Sequence, residues 1–447
     1  MCYTVLVEGQ MGLKGGRELK KSILFLIACL ILCQSAALAA VSVRLDEGAL
    51  LLRENGDTLV PLGVYADIVD LGGVFAAEQE GAYLLLDEEG APLSDARYSD
   101  LRRAGDFLLV CQDGRWGMMD LSGLELVPCV YEQITGDESG NFWALSDDDD
   151  FEAGELVLLD GDGAQISSGL MAHDISDEAA EGLIGVQMSE NGLWGYADAR
   201  GALVIPATYS HVSRFQSGRA VVVLEGRYGV IDVSGEMIVP AEYDAMEISP
   251  EGFILATKIG EGVWLLDFEG EEGAFYAGTE NYAAVVGKGF SLYDGIELLL
   301  YDASGECVEK LSRLGSVYEG LNGQWILSDG AWGETCVRLS GTQTLYQNLY
   351  PLAVVDGEAL YVSMRVNAVR YASQLLSETQ LAVDMENARY GVVDGDGAQR
   401  VASEYERITY LGSNRLLLYG DGLWQMTDAQ GEVLWTWGAK QSEEPNF

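Results

Sequence analysis

Two histidines, seven cysteines and 71 carboxylates are what this 447-residue chain offers to chemistry, and their spacing forms no catalytic pattern. His173 and His211 lack the His-x-x-x-His interval that sets two imidazoles on one face of a zinc-binding helix, and neither has a cysteine pair nearby. Structural or exposed roles are expected for both. There is no Gly-x-Ser-x-Gly elbow, no P-loop and no Gly-x-Gly-x-x-Gly, so acyl, phosphoryl and hydride transfer have no handle. Paired carboxylates flanking a glycosidic bond would make a carbohydrate-active hydrolase. With 71 acidic residues the possible pairings are too many for the sequence to choose one. Asp160-Gly161-Asp162-Gly163 and Asp394-Gly395-Asp396-Gly397 look like fragments of a calcium loop but lack the downstream glutamate and the full set of oxygen ligands. Turn chemistry explains them better. The sequence therefore assigns no catalytic residue, no cofactor and no metal ligand, and leaves diffuse Ca2+ binding, with a calcium-stabilised surface protein, as an open alternative.

What the chain does repeat is a glycine phrase. A turn glycine is followed by an aromatic-glycine or apolar pair, by a second turn glycine about nine residues on and by a tyrosine at seventeen. The clearest copies are Gly114-Arg115-Trp116-Gly117 with Gly123, Pro128 and Tyr131; Gly192-Leu193-Trp194-Gly195 with Gly201, Pro206 and Tyr209; and Gly226-Arg227-Tyr228-Gly229 with Gly235, Pro240 and Tyr243. A fourth runs through Tyr390, Gly391, Gly397 and Tyr405. First turn glycines at 48, 81, 114, 154, 192, 226, 262, 295, 330 and 422, with a degenerate Ala388, mark about eleven units, most of them 33 to 36 residues apart. A fixed period of this kind means units that bury their apolar faces only against neighbours.

Each unit reads as three short strands. In the copy at Gly226, residues 220–224 form a β-branched strand, Glu225-Gly226 turns it, Tyr228 to Asp232 returns it, Gly235 turns again, and a third strand ends at Pro240. Glycine supplies the positive φ of tight hairpins, and proline, lacking an N–H, closes a strand. The Trp and Tyr positions are expected to be core between units, because they keep step with the turns. The glycine beside the aromatic should leave a gap that a neighbouring side chain or backbone fills.

The motif residues carry a resemblance. Residues 114–131, 192–209 and 226–243 match closely, and 388–405 well, the unit of the bacterial WG-repeat (WG-containing, or KWG repeat) proteins. That resemblance implies a β-repeat protein of bacteria, often exported, with no general enzymatic activity and no catalytic residues to carry over.

Composition and the N-terminus complete the reading. Lys14, Arg17, Lys20 and Lys21 precede an apolar run at 23–32 and the small residues Ala37-Leu38-Ala39, the pattern of a secretory signal peptide spanning 1–39. The run is shorter than the roughly 20 residues of a spanning helix. Leu26-Ile27-Ala28-Cys29 also resembles a lipoprotein box, which would make Cys29 an acylated N-terminus. Cleavage after Ala39 removes four basic and two acidic side chains and leaves 22 Lys and Arg against 69 Asp and Glu, a formal charge of −47. A field of that sign repels nucleic acid and anionic lipid. Cys111, Cys129, Cys307 and Cys336 are too sparse for a disulfide framework, although Cys111 and Cys129 could pair if their strands are adjacent.

The expected architecture is all-β: residues 40–440 form an array of about eleven three-stranded repeats. A propeller-like ring is preferred, in which Val41 to Leu45 pair beside the truncated last unit, and an open superhelix or solenoid is the alternative. Irregular insertions are expected near 136–152, where Asp147 to Asp150 form an exposed loop, and near 346–386, where 368–376 could be a short helix. Residues 441–447 read as a disordered tail. The expected function is a non-catalytic exported scaffold or binding module that displays a protein- or glycan-binding surface at the bacterial cell envelope.

Overall fold

The computed structural model describes residues 40–45, 48–53, 58–146, 153–278, 282–312, 315–328, 337–366, 388–412 and 414–437. The leader 1–39, the acidic stretch 147–150, the turn glycine at 330, Cys336, the candidate helix at 368–376 and the tail 441–447 lie outside them. The described chain is β throughout, its sole helical turn being the 3-10 segment Leu321–Gly323. Strands assemble into ten antiparallel sheets, all with neighbours in sequence order. One of these has seven strands, because the single strand Glu125–Gly136 ends one unit and begins the next: Tyr131 pairs with Trp116 on one side, and Gln133 to Gly136 pair with Leu145 to Phe142 on the other. Dividing it there gives eleven units, numbered here 1 to 11 from Ala40.

Most units carry one more strand than the glycine phrase describes. Unit 6 runs His211–Val212, Arg219–Leu224, Arg227–Asp232 and Met237–Tyr243, in that order across the sheet. Its second and third strands meet in a two-residue hairpin with Glu225 at φ 50° and Gly226 at φ 78°, the doubly left-handed geometry of a type I′ turn. The added first strand has its own turn glycine, Gly218, also at positive φ.

Units pack face to face in sequence order. The buried set Trp143, Leu145, Leu156 and Leu158 of unit 4 meets Ile175, Ile184 and Val186 of unit 5. Tyr196, Ile205 and Tyr209 of unit 5 meet Val212, Phe215 and Val222 of unit 6, and Val230, Val239 and Tyr243 of unit 6 meet Met246, Ile254 and Leu266 of unit 7. At the ends of the array, Leu50 of unit 1 packs against Leu411, Leu417 and Met426 of unit 11. The last unit thus touches the first, and the eleven units form a propeller-like array whose two ends meet at Leu50. Residues 40–45 do not complete the last unit. They pair with Gly48–Arg53 in a sheet of their own, because that hairpin satisfies their ladder locally.

The described parts of the two stretches expected as insertions include strands. Phe142–Ser146 is the second strand of unit 4, with Phe142 and Trp143 fully buried, and Asn348–Val355 with Glu358–Val366 form the opening hairpin of unit 10. Cys111 and Cys129 are free thiols on the strands Phe107–Gln112 and Glu125–Gly136, which flank Arg115–Asp120 and so are not adjacent; Cys129 Sγ donates instead to the Val110 carbonyl at 3.6 Å.

The second turn of the phrase is held by an aspartate three residues before its glycine. Asp120 Oδ1 accepts the N–H of Ser122 (2.8 Å) and of Leu124 (2.9 Å), and Asp232 does the same for Ser234 and Glu236. Asp87, Asp160, Asp198, Asp267, Asp302, Asp394 and Asp428 repeat the pattern. Serine hydroxyls from Ser122, Ser234 and Ser304, helped by the backbone donors, hold the Asp120, Asp232 and Asp302 carboxyls below the usual aspartate range. A group whose folded pKa is depressed stabilises the fold above its unfolded value, near 3.9, and loses that contribution as pH falls through the folded one. The melting temperature should therefore drop as the pH is lowered from about 4. In the triple variant D120N/D232N/D302N the drop should be shallower, a difference read by thermal scans at stepped pH.

Candidate functional site

The repeated aromatic positions fall into pairs. Trp116 stands opposite Tyr131, Trp194 opposite Tyr209, Tyr228 opposite Tyr243, and Tyr390 opposite Tyr405, each pair bridging the last two strands of its unit. Directly opposed residues of this kind lie within side-chain contact. Tyr209 and Tyr243 are buried, and Trp116, Trp194 and Tyr228 are half-buried against the same clusters. Between each pair and the next register point the last strand bulges, so the prolines Pro128, Pro206 and Pro240 lie in the extra length. The glycine after the aromatic faces that bulge. A Cβ on Gly117 would lie 2.6 Å from the Val127 carbonyl oxygen, and one on Gly229 2.8 Å from that of Val239. The gap expected from the sequence is filled by backbone of the unit's own last strand. The second turn glycine reaches the preceding unit: Gly123 abuts Leu93, Gly235 abuts Ile205, and Gly397 accepts a 3.0 Å hydrogen bond from Tyr346 Oη. Gly114 and Gly226 occupy hairpin turns and Gly201 a bend, all three at positive φ, whereas Gly192 follows its turn, where Asn191 takes the positive φ and Gly192 N–H donates to the Ser189 carbonyl at 2.7 Å.

With these positions committed to packing, the features open to a ligand lie elsewhere. His173 is half-buried, its backbone N–H donating to the Gln187 carbonyl. His211 is exposed, on the rim of a recess of about 410 Å³ where the first strands of units 5, 6 and 7 converge. The recess has a local cause. The first strand of unit 6, His211–Val212, has only two residues, whereas its counterparts Asp174–Ala180 and Ala245–Ile248 have seven and four. After Val212 the chain leaves the ladder: Ser213 Oγ caps the Val221 N–H, Phe215 drives into the core against Tyr196 at a 4.8 Å ring separation, and Gln216 turns back through its backbone to Arg219. The recess lies beside this shortened strand, although Ser213 N–H still donates to the Val221 carbonyl at 2.9 Å and Gln216 and Arg219 form an isolated bridge.

Val212, Val221 and Ile248 give it an apolar floor, while Asp177, Glu178, His211 and Arg214 give it a charged rim. Arg214 Nε lies 3.3 Å from Glu178 Oε2. On the far side, Asp177 is 3.8 Å from Arg102 of unit 3 and 3.4 Å from Gln133 Nε2 of unit 4. Gln216 belongs to the lining, and its Nε2 is shut off from solvent with no hydrogen-bond partner. A buried amide donor left unpaired costs about 1–3 kcal/mol. Asp177 and Glu178 are neighbouring carboxylates, but no Phe, Tyr or Trp side chain lines the recess. That separates it from the sugar-stacking cleft that a glycosidase would need. Among the described residues no group of three or more His, Cys, Asp or Glu side chains is placed to hold a metal ion, and no helix is long and apolar enough to cross a membrane.

Units 5 to 7 are also where the sequence matches a family model. The model described as WG containing repeat covers residues 194–228 and 228–260. The chain contains WG repeats. These matches hold the aromatic pairs Trp194–Tyr209 and Tyr228–Tyr243 together with His211, Arg214, Gln216, Val221 and Ile248 of the recess. No curated protein matches the sequence. Among solved structures the chain is similar to a eukaryotic initiation factor, with 10% identity over 90% of this chain and 96% of that one at a TM-score of 0.38. It is also similar to BamB from Moraxella catarrhalis, with 12% identity over 65% and 95% at 0.28, and to the C-terminal WD40 domain of Sif2, with 8% over 60% and 90% at 0.30. The recess itself was not legible in the sequence. Its one signal is a shortened interval, since Ser213-Arg214-Phe215-Gln216 interrupts the alternation that a longer first strand would show.

Proposed function

We propose that this WG-repeat chain is a non-catalytic, exported binding scaffold of the bacterial cell envelope, holding a protein- or glycan-binding surface on a rigid array of sheets. The observation that carries this reading is the division of labour among residues. The repeated aromatics, glycines and turn aspartates are bound into packing and hydrogen bonds, and the polar groups left at the recess form no nucleophile–base pair. The basic flank, apolar run and Ala37-Leu38-Ala39 of the leader support export, and a formal charge near −47 after its removal favours cationic partners. The test is a fractionation and capture experiment. The full chain, tagged at its C-terminus, should appear outside the cytoplasm with residues 1–39 removed, and immobilised residues 40–447 should retain a defined envelope protein or cell-wall glycan. A full-length product held in the cytoplasm, or no retention from either fraction, would overturn the proposal.

A further inference from the structure

Ser363 breaks a rule that the other clear copies of the repeat keep. The residue opposite the glycine that follows the aromatic is Val110 in unit 3, Val186 in unit 5 and Val222 in unit 6, each buried against the preceding unit. In unit 10 it is Ser363, opposite Gly391 and equally buried. Two further positions of this face turn polar with it. Ser403 stands where units 5 and 6 have Ala207 and Ala241, two residues before the closing tyrosine, and Gln399 takes the register place of Leu203 and Met237. A hydroxyl in place of a packed valine lowers stability. Little is gained in return: the hydrogen bond from Ser363 to the Ser403 hydroxyl spans 3.4 Å, beyond the roughly 2.5–3.0 Å usual between hydroxyls. A polar group that packing does not call for has its reason outside packing.

These residues line a second recess, of about 220 Å³, between units 9 and 10. It is open because the sheet of unit 9 has only the strands Ser316–Glu319, Trp325–Ser328 and Val337–Leu339, after which the chain returns through one bridge, Tyr346 opposite Val337. In unit 5 a full last strand lays Ile205 and Tyr209 over Val222 instead. Thr344 and Gln347 join Ser363, Ser403 and Gln399 in the lining, Met364 and Val393 add apolar surface, and Tyr346 is fixed on the wall by its 3.0 Å hydrogen bond to the Gly397 carbonyl. Among the described residues no charged side chain lines it, in a chain with 71 carboxylates. Hydroxyls and carboxamides both donate and accept. They match an uncharged ligand whose own groups do the same, which is the chemistry of a neutral sugar ring. An ion finds no counter-charge there. An extended peptide finds no open ladder, because Val337 gives both backbone groups to Tyr346 and the Leu339 carbonyl takes the Thr342 N–H. The recess is smaller than the roughly 300–1,000 Å³ of sites for drug-sized ligands and admits one ring.

We propose that the recess between units 9 and 10 binds one neutral pyranose unit of a glycan, held by Thr344, Gln399 and the Ser403 hydroxyl to which Ser363 is paired. This rests on the reading of the chain as a binding module and names the ligand class of one of its surfaces.

The experiment titrates residues 40–447 with the methyl glycosides of glucose, galactose and mannose, using glucosamine, glucuronate and acetyl-glycyl-glycine amide as comparators, and reads binding by ligand-observed nuclear magnetic resonance at two salt concentrations. At least one neutral glycoside should bind about tenfold or more tightly than the charged sugars and the peptide, equivalent to about 1.4 kcal/mol, and added salt should leave its affinity unchanged. The double variant Ser363→Val with Ser403→Ala, which restores the residues of units 5 and 6, should weaken that binding about tenfold or more while raising the melting temperature. Serines kept only for structure would not give up binding as stability rises. Gln399→Met, at an exposed position, should weaken binding with the melting temperature unchanged, and it decides alone if the double variant fails to fold. No glycoside binding at millimolar concentration, equal binding of the charged sugars, preference for the peptide, or wild-type affinity in Gln399→Met would each overturn the assignment. If the glycosides fail while the chain still retains an envelope protein, the assignment falls and the binding-module reading stands.

Discussion

Truncating Trp143 to alanine is expected to cost about 3–5 kcal/mol. The side chain is fully buried, on the second strand of unit 4, and it fills the interface with unit 5 among Leu145, Leu156, Leu158, Ile184 and Val186. Its indole N–H donates to the Asp198 carbonyl at 3.1 Å, and Asp198 in turn holds the second turn of unit 5 through Arg200 and Ala202. The alanine variant therefore loses the ring's burial and one hydrogen bond and opens a cavity that rigid sheets on both sides cannot collapse, while the Asp198 carbonyl keeps the Gly201 N–H at 3.0 Å. Trp143→Phe separates these terms: most of the volume remains, and the loss should be nearer the roughly 0.5–1.5 kcal/mol of one hydrogen bond. Urea titration followed by far-ultraviolet circular dichroism reads both, with Leu124→Ala, a 60% exposed side chain, as a near-neutral control. A Trp143→Ala loss no larger than that of Leu124→Ala would mean that adjacent sheets do not depend on one another. The repeat interpretation requires that they do.

Trp143 also marks where the sequence was readable and where it was not. The number of units, the hairpin at Glu225-Gly226, the aspartate turns and the all-β class follow from glycine spacing, because positive φ at fixed intervals is a local requirement that local sequence must meet. Trp143 lies in a stretch read as an irregular insertion. Its unit has drifted from the phrase, and burial between sheets is a property of two units at once. The extra strand of each unit had a local signal that the two-glycine template passed over: Gly105, Gly182, Gly218, Gly252 and Gly287 all sit at positive φ, eight to ten residues before the first turn glycine of their units. The meeting of the two ends had none. Leu50 looks like any other strand leucine, and only the curvature accumulated over eleven units brings it to Leu417. The recess was hidden for a similar reason, since a strand two residues long can be recognised only when its longer neighbours stand beside it.

The glycine after the repeated aromatic provides the sharpest test of the unit itself. Gly117→Ala should destabilise by several kcal/mol and Gly114→Ala by about 1–2, although the two residues lie three apart in the same phrase. At Gly114 the difficulty is conformational: φ is 77°, nothing lies within 4 Å of where a Cβ would stand, and the cost is that of placing an L-residue in the left-handed region. At Gly117 the backbone is ordinary and the difficulty is space, with the added carbon 2.6 Å from the Val127 carbonyl, 2.8 Å from the Cys129 nitrogen and 2.8 Å from the Pro128 carbonyl carbon. Those are backbone atoms of a bulge, and no side-chain rotation can clear them. Relief requires the last strand to move away, which breaks the Trp116–Tyr131 pairing and lifts Val127 from the interface with unit 4. Thermal denaturation of the two single variants should therefore rank Gly117→Ala well below Gly114→Ala. Equal losses would show that the phrase keeps its second glycine for backbone freedom, and the bulge over it would not be the reason the aromatic and the glycine travel together.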